Sequence, residues 1–327
     1  MAYCKNCDQP IADGHSTVQC VTCNQPLHKE CAINDGASFC DGCYITKTEE
    51  APTLQFEVPS VIRRSYIELY KACPFKFYNE IILGMESPKN IYSQMGIDLH
   101  TLFDKACQDK GYVQRNMLID FGTLINGYDS TLYDVPWDIK QDKMDHKGLN
   151  SIVNFYNVLA GLPQKPFATE ETIQFSIGEG LPLVQTTSDR IDLIDGELEM
   201  LDWKTGKVMV GQKISTDLQA PLYIHGVREK YGIPIRKFTF HYLDENKTRI
   251  FTRTNNDEYV CTVGKREYYI NITDAIREVQ SLFSHIKRGN FNIPNNIKGM
   301  YFTCKLCHLQ DLGVCKGADI QAWKQFN

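Results

Sequence analysis

Two aspartates and one lysine between residues 189 and 207 are the side chains best placed to carry out chemistry. Asp202 and Lys204 lie two positions apart on a predicted strand, so both side chains leave the same face. Asp192 lies on the preceding predicted strand, and we expect it to meet them across a hairpin. Two carboxylates form a hard-oxygen site for Mg²⁺ or Mn²⁺, and a neighbouring ammonium can orient water and offset phosphate charge. The pattern predicts phosphodiester hydrolysis, although an acid-x-lysine tripeptide also recurs on surface strands without such a role.

Three further short motifs surround these residues in a consistent order. Residues 96–100 read G-x-x-x-H, residues 219–223 read Q-x-x-x-Y, and residues 205–207 read T-G-K. The set resembles the PD-(D/E)XK nucleases of the RecB type, whose pattern runs G-x-x-D, then (D/E)-x-K, often followed by T-G-K. The resemblance takes Asp192 as the first acid of that pattern, which leaves Asp189 in place of the usual glycine.

The resemblance also implies roles for the flanking residues. It makes His100 a metal ligand from a helix, and it places Gln219 and Tyr223 against DNA or the active site. Spacing i, i+4 puts that glutamine and tyrosine on one helical face. The two aspartates and the histidine then bind one or two Mg²⁺ or Mn²⁺ ions, while the lysine orients the attacking water. The implied substrate is DNA that is single-stranded or has single-stranded ends.

Four cysteines far apart in the chain form a second metal-binding set: Cys73, Cys304, Cys307 and Cys315. Four thiolates suit a [4Fe–4S] cluster or one zinc ion, and their spacing does not choose between these. The Tyr-x-x-Cys-Pro segment and the later triplet resemble the iron–sulfur RecB-type nucleases (AddB-type helicase–nucleases, CRISPR-associated exonucleases and exonuclease V). That resemblance implies a [4Fe–4S] cluster joining the two ends of the nuclease domain. The seven-residue gap before Cys315 is longer than in most members, and His308 is an outside candidate ligand.

The first 45 residues carry eight potential zinc ligands: Cys4, Cys7, Cys20, Cys23, His28, Cys31, Cys40 and Cys43. Eight ligands make two tetrahedral Zn²⁺ sites, which must supply the folding free energy of so short a segment. The order resembles the cross-brace fingers of the PHD and RING type, with Cys4, Cys7, His28 and Cys31 on one ion and the other four on the second. It lacks the tryptophan that PHD fingers place before the last pair. Such a finger either recruits DNA or a protein partner or is a structural cap.

Composition limits the remaining choices. The chain has 327 residues, a formal net charge of −5 and 13 cysteines, an odd number that excludes complete disulfide pairing. CxxC spacing favours metal thiolates over disulfides, and we expect Cys107 and Cys261, outside both sets, to be buried free thiols. No run of about 18 apolar residues is present and the N-terminus is unlike a signal peptide, so we expect a cytoplasmic protein without membrane contact.

The pattern of apolar residues predicts the elements that carry these motifs. Helical spacing covers residues 65–83, 94–110, 218–231 and 274–287. Strands are predicted at 172–177, 183–194, 197–203, 238–242 and 249–253, with a turn at Asp195-Gly196. The fold class is α/β, a PD-(D/E)XK restriction-endonuclease-like core with a small mixed sheet flanked by helices. The predicted organisation is a finger at 1–45, a polar linker at 46–60 and a nuclease domain at 61–327.

These observations predict a metal-dependent DNA nuclease, an exonuclease acting in recombination, repair or replication. The alternative is a non-catalytic adaptor on a nuclease scaffold, which binds DNA or protein through its zinc finger. The complete acid–lysine set argues against the adaptor, because a scaffold has no need of those groups.

Overall fold

The computed structural model describes residues 17–19, 26–29, 32–34, 38–39, 56–87, 90–128, 137–293, 304 and 307–315. The chain divides into two compact units, Met1–Phe56 and Glu57–Asn327. Within the described ranges, no helix is both long and apolar enough to cross a membrane.

The described residues of the first unit form two small antiparallel strand pairs. Strands β1 (Thr17–Gln19) and β2 (Pro26–His28) form one, and β3 (Ile33–Asn34) and β4 (Ser38–Phe39) form the other. The seven cysteines predicted to bind zinc lie outside the described residues, and of the eight predicted ligands only the backbone of His28 is described. The two-zinc finger therefore stays a prediction.

The second unit carries the remaining helices and strands. Its elements are, in chain order, β5 (Val61–Arg63), α1 (Arg64–Ala72), α2 (Pro74–Phe77), a π-helix (Tyr78–Ile82), α3 (Ile91–Gln108), α4 (Gln114–Asn126), α5 (Trp137–Leu159), β6 (Ala168–Phe175), β7 (Leu183–Ile194), β8 (Glu197–Lys204), α6 (Lys213–Thr216), α7 (Gln219–Tyr231), β9 (Ile235–Tyr242), β10 (Lys247–Arg253), β11 (Glu258–Val263), β12 (Arg266–Asn271), α8 (Ile272–Lys287) and α9 (His308–Asp311).

The strands of this unit form one mixed sheet. Its order is β12-β11-β10-β9-β8-β7-β5, and β6 also pairs with β7. The pairs β5–β7 and β8–β9 are parallel, whereas the other pairs are antiparallel. Helices pack against this sheet in two separate apolar clusters. The predicted α/β class, a mixed sheet flanked by helices, is confirmed.

The hairpin of β7 and β8 sets the position of the acidic residues. Asp195 and Gly196 both have positive φ, 52° and 81°, as a two-residue type I′ turn requires. The turn fixes the register, in which Arg190 pairs with Leu201 and Asp192 with Glu199. One step further along the ladder, Asp189 lies across from Asp202.

The chain leaves β8 through α7 and returns as the parallel strand β9. This crossover brings the first turn of α7 beside the end of β8. Trp203 faces the opposite side of the sheet, where its ring lies 4.9 Å from Phe155 and 6.3 Å from Phe103, measured between centroids. Because side chains alternate along a strand, the buried Trp203 fixes Asp202 and Lys204 on the α7 side.

The predicted helix over residues 65–83 is interrupted at Cys73-Pro74. Proline disfavours helical geometry in the residue before it, and Cys73 is extended, with φ −157° and ψ 101°. The Sγ atom of Cys73 then accepts a hydrogen bond from the backbone N–H of Lys76 at 3.4 Å, which caps α2. The helix prediction was wrong at this point because it followed apolar spacing through a proline.

Candidate active site

Asp202 and Lys204 lie together at the end of β8. Asp202 is only 2% exposed, and its Oδ2 atom lies 2.8 Å from Nζ of Lys204. That oxygen is buried and has no partner in hydrogen-bond geometry. Burial raises the pKa of Asp202 to about 6, and the adjacent Lys204 ammonium opposes the rise. A buried carboxylate oxygen of this kind has the capacity to bind a cation.

Gln219 connects the acid to the lysine. Its Nε2 atom donates to Oδ1 of Asp202 at 2.6 Å, and its Oε1 atom accepts from Nζ of Lys204 at 2.7 Å. One turn later on α7 lies the buried Tyr223, on the same helical face as Gln219, and burial raises the pKa of Tyr223 well above its ordinary value. The structure therefore brings together four of the predicted site residues.

Asp189, which the sequence interpretation assigned to a glycine position, also lies in this group. Its Oδ2 atom accepts a hydrogen bond from the backbone N–H of Trp203 at 2.6 Å. Its Oδ1 atom lies 3.2 Å from Nδ1 of His100 on α3. Burial disfavours the charged imidazole, but the carboxylate of Asp189 outweighs it and the pKa of His100 rises to about 10. The predicted histidine thus meets Asp189.

Asp192 occupies a different environment from the one we expected. Both of its oxygens accept hydrogen bonds from Arg190 at 2.9 Å, and this pair is buried, with side chains 4% and 1% exposed. Arg190 also donates to the carbonyl of Pro163 at 2.5 Å. Asp192 is three positions from Asp189, so strand alternation directs it to the opposite face. The structure does not bring Asp192 to the site residues.

A signal for Asp189 was present in the sequence. A two-residue turn at Asp195-Gly196 pairs Ile194 with Glu197, and each step back along β7 is matched by one step forward along β8. This register places Asp189 rather than Asp192 across from Asp202. Aligned on Asp189, the G-x-x-D pattern has its glycine position at Thr186.

Glu170 is a further acid that the sequence interpretation missed. Its Oε1 atom lies 3.9 Å from Nδ1 of His100, and its backbone has a positive φ of 46°. The ligand atoms of His100, Glu170 and Asp189 all lie within 4.8 Å of one another. The predicted strand began only at residue 172, so nothing in the sequence placed Glu170 beside the hairpin.

These groups open into a cavity of about 730 Å³, whose lining includes Gly96, His100, Lys147, Glu170, Lys204 and Thr205. Gly96 lies one turn before His100 and faces the loop after β8. A Cβ atom built on it would lie 3.3 Å from Oγ1 of Thr205. The glycine of the G-x-x-x-H motif therefore allows α3 to approach that loop closely.

The four cysteines of the predicted cluster lie in described parts of the chain. Cys73 is buried, and burial raises the pKa of its thiol, with Cys304 and Cys307 near enough to raise it further. Cys315 is half-buried, and its backbone N–H donates to the carbonyl of Leu309 at 2.9 Å. The C-terminal segment also meets the π-helix, where Nδ1 of His308 lies 3.6 Å from Oε1 of Glu80. Cys107 and Cys261 are buried free thiols, as expected.

An α/β sheet that joins acids, a lysine and a histidine at one strand edge defines an acidic centre suited to phosphodiester hydrolysis. The model of the PD-(D/E)XK nuclease superfamily matches residues 64–315, and the chain belongs to this superfamily of metal-dependent nucleases. No curated protein matches the chain. The crystal structure of SSO0001 aligns with 82% of this chain and 93% of its own, at 15% identity and a TM-score of 0.34, which carries no argument about function.

Proposed function

We propose that this protein is a DNA exonuclease that hydrolyses phosphodiester bonds at single-stranded DNA or single-stranded ends. The observation that supports it best is the connected group of Asp189, Asp202, Lys204 and Gln219 at one strand edge. Unlike a closed structural ion pair, this group lies beside a cavity that Lys204 lines, so a substrate can reach it. The group gives no support to the adaptor alternative.

His100, Glu170 and Asp189, whose ligand atoms lie within 4.8 Å of one another, would hold Mg²⁺ or Mn²⁺ beside Asp202. One imidazole nitrogen with carboxylate oxygens suits these ions. A bound divalent ion neutralises phosphate charge and lowers the pKa of water.

Lys204 has the position of the residue that orients the attacking water. Its side chain is 25% exposed and lines the cavity, and its Nζ atom lies 2.8 Å from Asp202 and 2.7 Å from Gln219. Its Nζ atom also lies 5.0 Å from the centroid of the Phe240 ring. A cation fixed on three sides offsets the charge that develops on a phosphate without reorganising.

The remaining metals have structural tasks in this proposal. A [4Fe–4S] cluster on Cys73, Cys304, Cys307 and Cys315 would join the start and the end of the nuclease domain, and the proximity of the first three thiols supports that set. Zinc remains the alternative metal there. The buried Nε2 atom of His308 has no hydrogen-bond partner, which keeps this residue a candidate ligand. A two-zinc finger would recruit DNA or protein during recombination, repair or replication in the cytoplasm.

The test is cleavage of end-labelled linear and circular single-stranded DNA by the full chain with Mg²⁺ or Mn²⁺. We expect linear DNA to be degraded and circular DNA to persist, and Lys204→Ala to slow cleavage by about 10²- to 10³-fold. Lys265→Ala, an exposed lysine on the β11–β12 turn, is the matched control and should cleave normally. Undiminished cleavage by Lys204→Ala rules out the proposed role, and efficient cutting of circles rules out the exonuclease mode.

A further inference from the structure

Strands β5 and β8 meet end to end along the same side of β7. Residues 184–185 of β7 pair with both β5 and β6, and residues 190–191 pair with both β6 and β8. Because a strand has only two sides for pairing, β5 and β8 share the side opposite β6. β5 runs parallel to β7 and β8 runs antiparallel to it, so their carboxyl ends approach each other. The residues that follow β5 therefore lie close to Asp202 and Lys204.

Arg64 is the first residue of α1 and comes immediately after β5. One turn further along, Oε1 of Glu68 accepts a hydrogen bond at 3.4 Å from the backbone N–H of Leu218, the residue before Gln219. Residues four apart share a helical face, so Arg64 also faces the start of α7. Burial raises the pKa of Tyr223 on α7, and the guanidinium of Arg64 acts in the opposite direction, which requires the two groups to be close. Arg64 thus lies beside the candidate active site.

The guanidinium of Arg64 has a hydrogen-bond donor that the protein does not use. Its Nε atom is buried, and nothing in the described part of the chain accepts a hydrogen bond from it. Arg64 also forms no ion pair with any carboxylate in the described ranges. Arg190 shows the contrasting case, because both oxygens of Asp192 accept hydrogen bonds from its guanidinium. A buried donor without an acceptor costs free energy, so Arg64 can gain from an anionic partner outside the chain.

A phosphate of a DNA strand is the anion that suits this position. The guanidinium offers a planar fork of donors that matches two phosphate oxygens, and a backbone phosphate always carries its charge. We propose that Arg64 binds a backbone phosphate of the DNA substrate, as a second cationic contact beside Lys204. The inference rests on the proposed nuclease function, which supplies DNA as the substrate.

The test measures binding of a fluorescein-labelled single-stranded oligonucleotide to the full chain in EDTA, over a range of salt concentrations. Each phosphate contact to a single strand adds about 0.7 to the steepness of the fall of log K with log salt. We expect Arg64→Met, which keeps the length of the side chain, to bind about tenfold more weakly and to lose about 0.7 of this slope. Arg64→Lys should restore the slope with the charge, but only part of the affinity, because it lacks the fork.

Arg266→Met is the matched control for this experiment. It makes the same change of charge on the exposed start of β12, at the far edge of the sheet from β5, and should bind as the wild type does. Arg64→Gln is neutral but polar, and it guards against misfolding of Arg64→Met by predicting the same two losses. Neither variant removes an ion pair within the described ranges, so their urea midpoints should be no lower than that of the wild type.

The outcomes separate this contact from the proposed function. An unchanged salt slope in a folded neutral variant overturns the phosphate contact, and so does failure of the wild type to bind the oligonucleotide. A wild type that binds but does not cleave DNA with Mg²⁺ or Mn²⁺ removes the nuclease proposal and leaves the contact at Arg64. A wild type that cleaves, together with an unchanged slope in Arg64→Met, removes only the contact.

Discussion

Asp189 and Asp192 lie three residues apart on β7, yet their surroundings differ in almost every respect. Asp189 meets a backbone N–H, a histidine and two further acids beside a cavity. Asp192 lies on the other face, where the buried guanidinium of Arg190 occupies both of its oxygens. We call Arg190 and Asp192 the closed pair. We call Glu170, Asp189 and Asp202, on the adjacent strands β6, β7 and β8, the carboxylate row. The contrast teaches that the groups around a carboxylate determine its use: the carboxylate row can still accept a cation, whereas both oxygens of Asp192 are already occupied by Arg190.

The most damaging change to activity should be Asp189→Asn. We expect cleavage to fall by about 10³-fold, because the variant removes a carboxylate from the proposed metal-binding group. The free energy of unfolding should change by less than about 1 kcal/mol, since losing the partly exposed His100 ion pair is offset by weaker repulsion within the row. Labelled-DNA cleavage and a urea melt measure the two effects.

The control for this prediction is Glu179→Gln, which removes an exposed acid and should leave cleavage unchanged. Near-normal cleavage by Asp189→Asn would indicate that Asp192, and not Asp189, is the first acid of the motif.

Asp192→Asn should have the opposite effects, with a large loss of stability and little loss of activity. Breaking a buried ion pair leaves the Arg190 guanidinium uncompensated, so we expect a loss of about 3 to 5 kcal/mol in the free energy of unfolding. Cleavage per folded molecule should stay near the wild-type value. The measurements are the same urea melt and a cleavage rate normalised to the folded fraction.

A double variant sharpens this result. Arg190→Met with Asp192→Leu removes both charges together and should be less destabilised than Asp192→Asn alone. If Asp192→Asn were as stable as the wild type but inactive, the closed pair would belong to the reaction and the comparison would fail.

The same two aspartates show what the sequence can predict. The hairpin of β7 and β8 was predicted closely because apolar alternation and an Asp-Gly turn are local signals. Helices α4 and α5 and strands β11 and β12 were not predicted, since the helices are stabilised by packing on each other and on α3, and the strands by pairing at the sheet edge, rather than by strong local patterns. The role of Asp189 depended on the register of the ladder, and that of Glu170 on pairing with a distant strand.

A smaller effect is expected at Gln219, which acts on the row by positioning Lys204. Gln219→Leu keeps the volume of the side chain but removes its hydrogen bonds to Asp202 and Lys204. We expect kcat to fall by about 10- to 100-fold, as for other residues that orient a catalytic group. KM for DNA should change little, because Gln219 is buried.

Gln174→Leu on the exposed face of β6 is the matched control and should have normal kcat and KM. A change confined to KM would show that Gln219 contacts DNA, against the positioning role.

The smallest effect should come from Gly96→Ala on α3, a helix that lies near both the carboxylate row and the closed pair. His100 on this helix lies 3.2 Å from Asp189, and Cys107 further along lies near Arg190. An added Cβ atom would lie 3.3 Å from Oγ1 of Thr205, so the loop after β8 must move by a few tenths of an ångström. We expect a fall of about two- to fivefold in kcat, of the order of 1 kcal/mol or less in the barrier.

Gly122→Ala on α4 provides the matched control, since nothing lies within 4 Å of its added Cβ atom. Both substitutions should gain about 0.5 to 1 kcal/mol of helix stability from alanine, so the urea midpoint should rise for Gly122→Ala. It should rise less for Gly96→Ala, to the extent that the contact with Thr205 costs free energy. Only Gly96→Ala should slow cleavage, because only that change presses on the loop beside the carboxylate row. Equal kcat values for the two variants would mean that the carboxylate row tolerates movement of α3. The glycine of the G-x-x-x-H motif would then serve the packing of the helix rather than the geometry of the site.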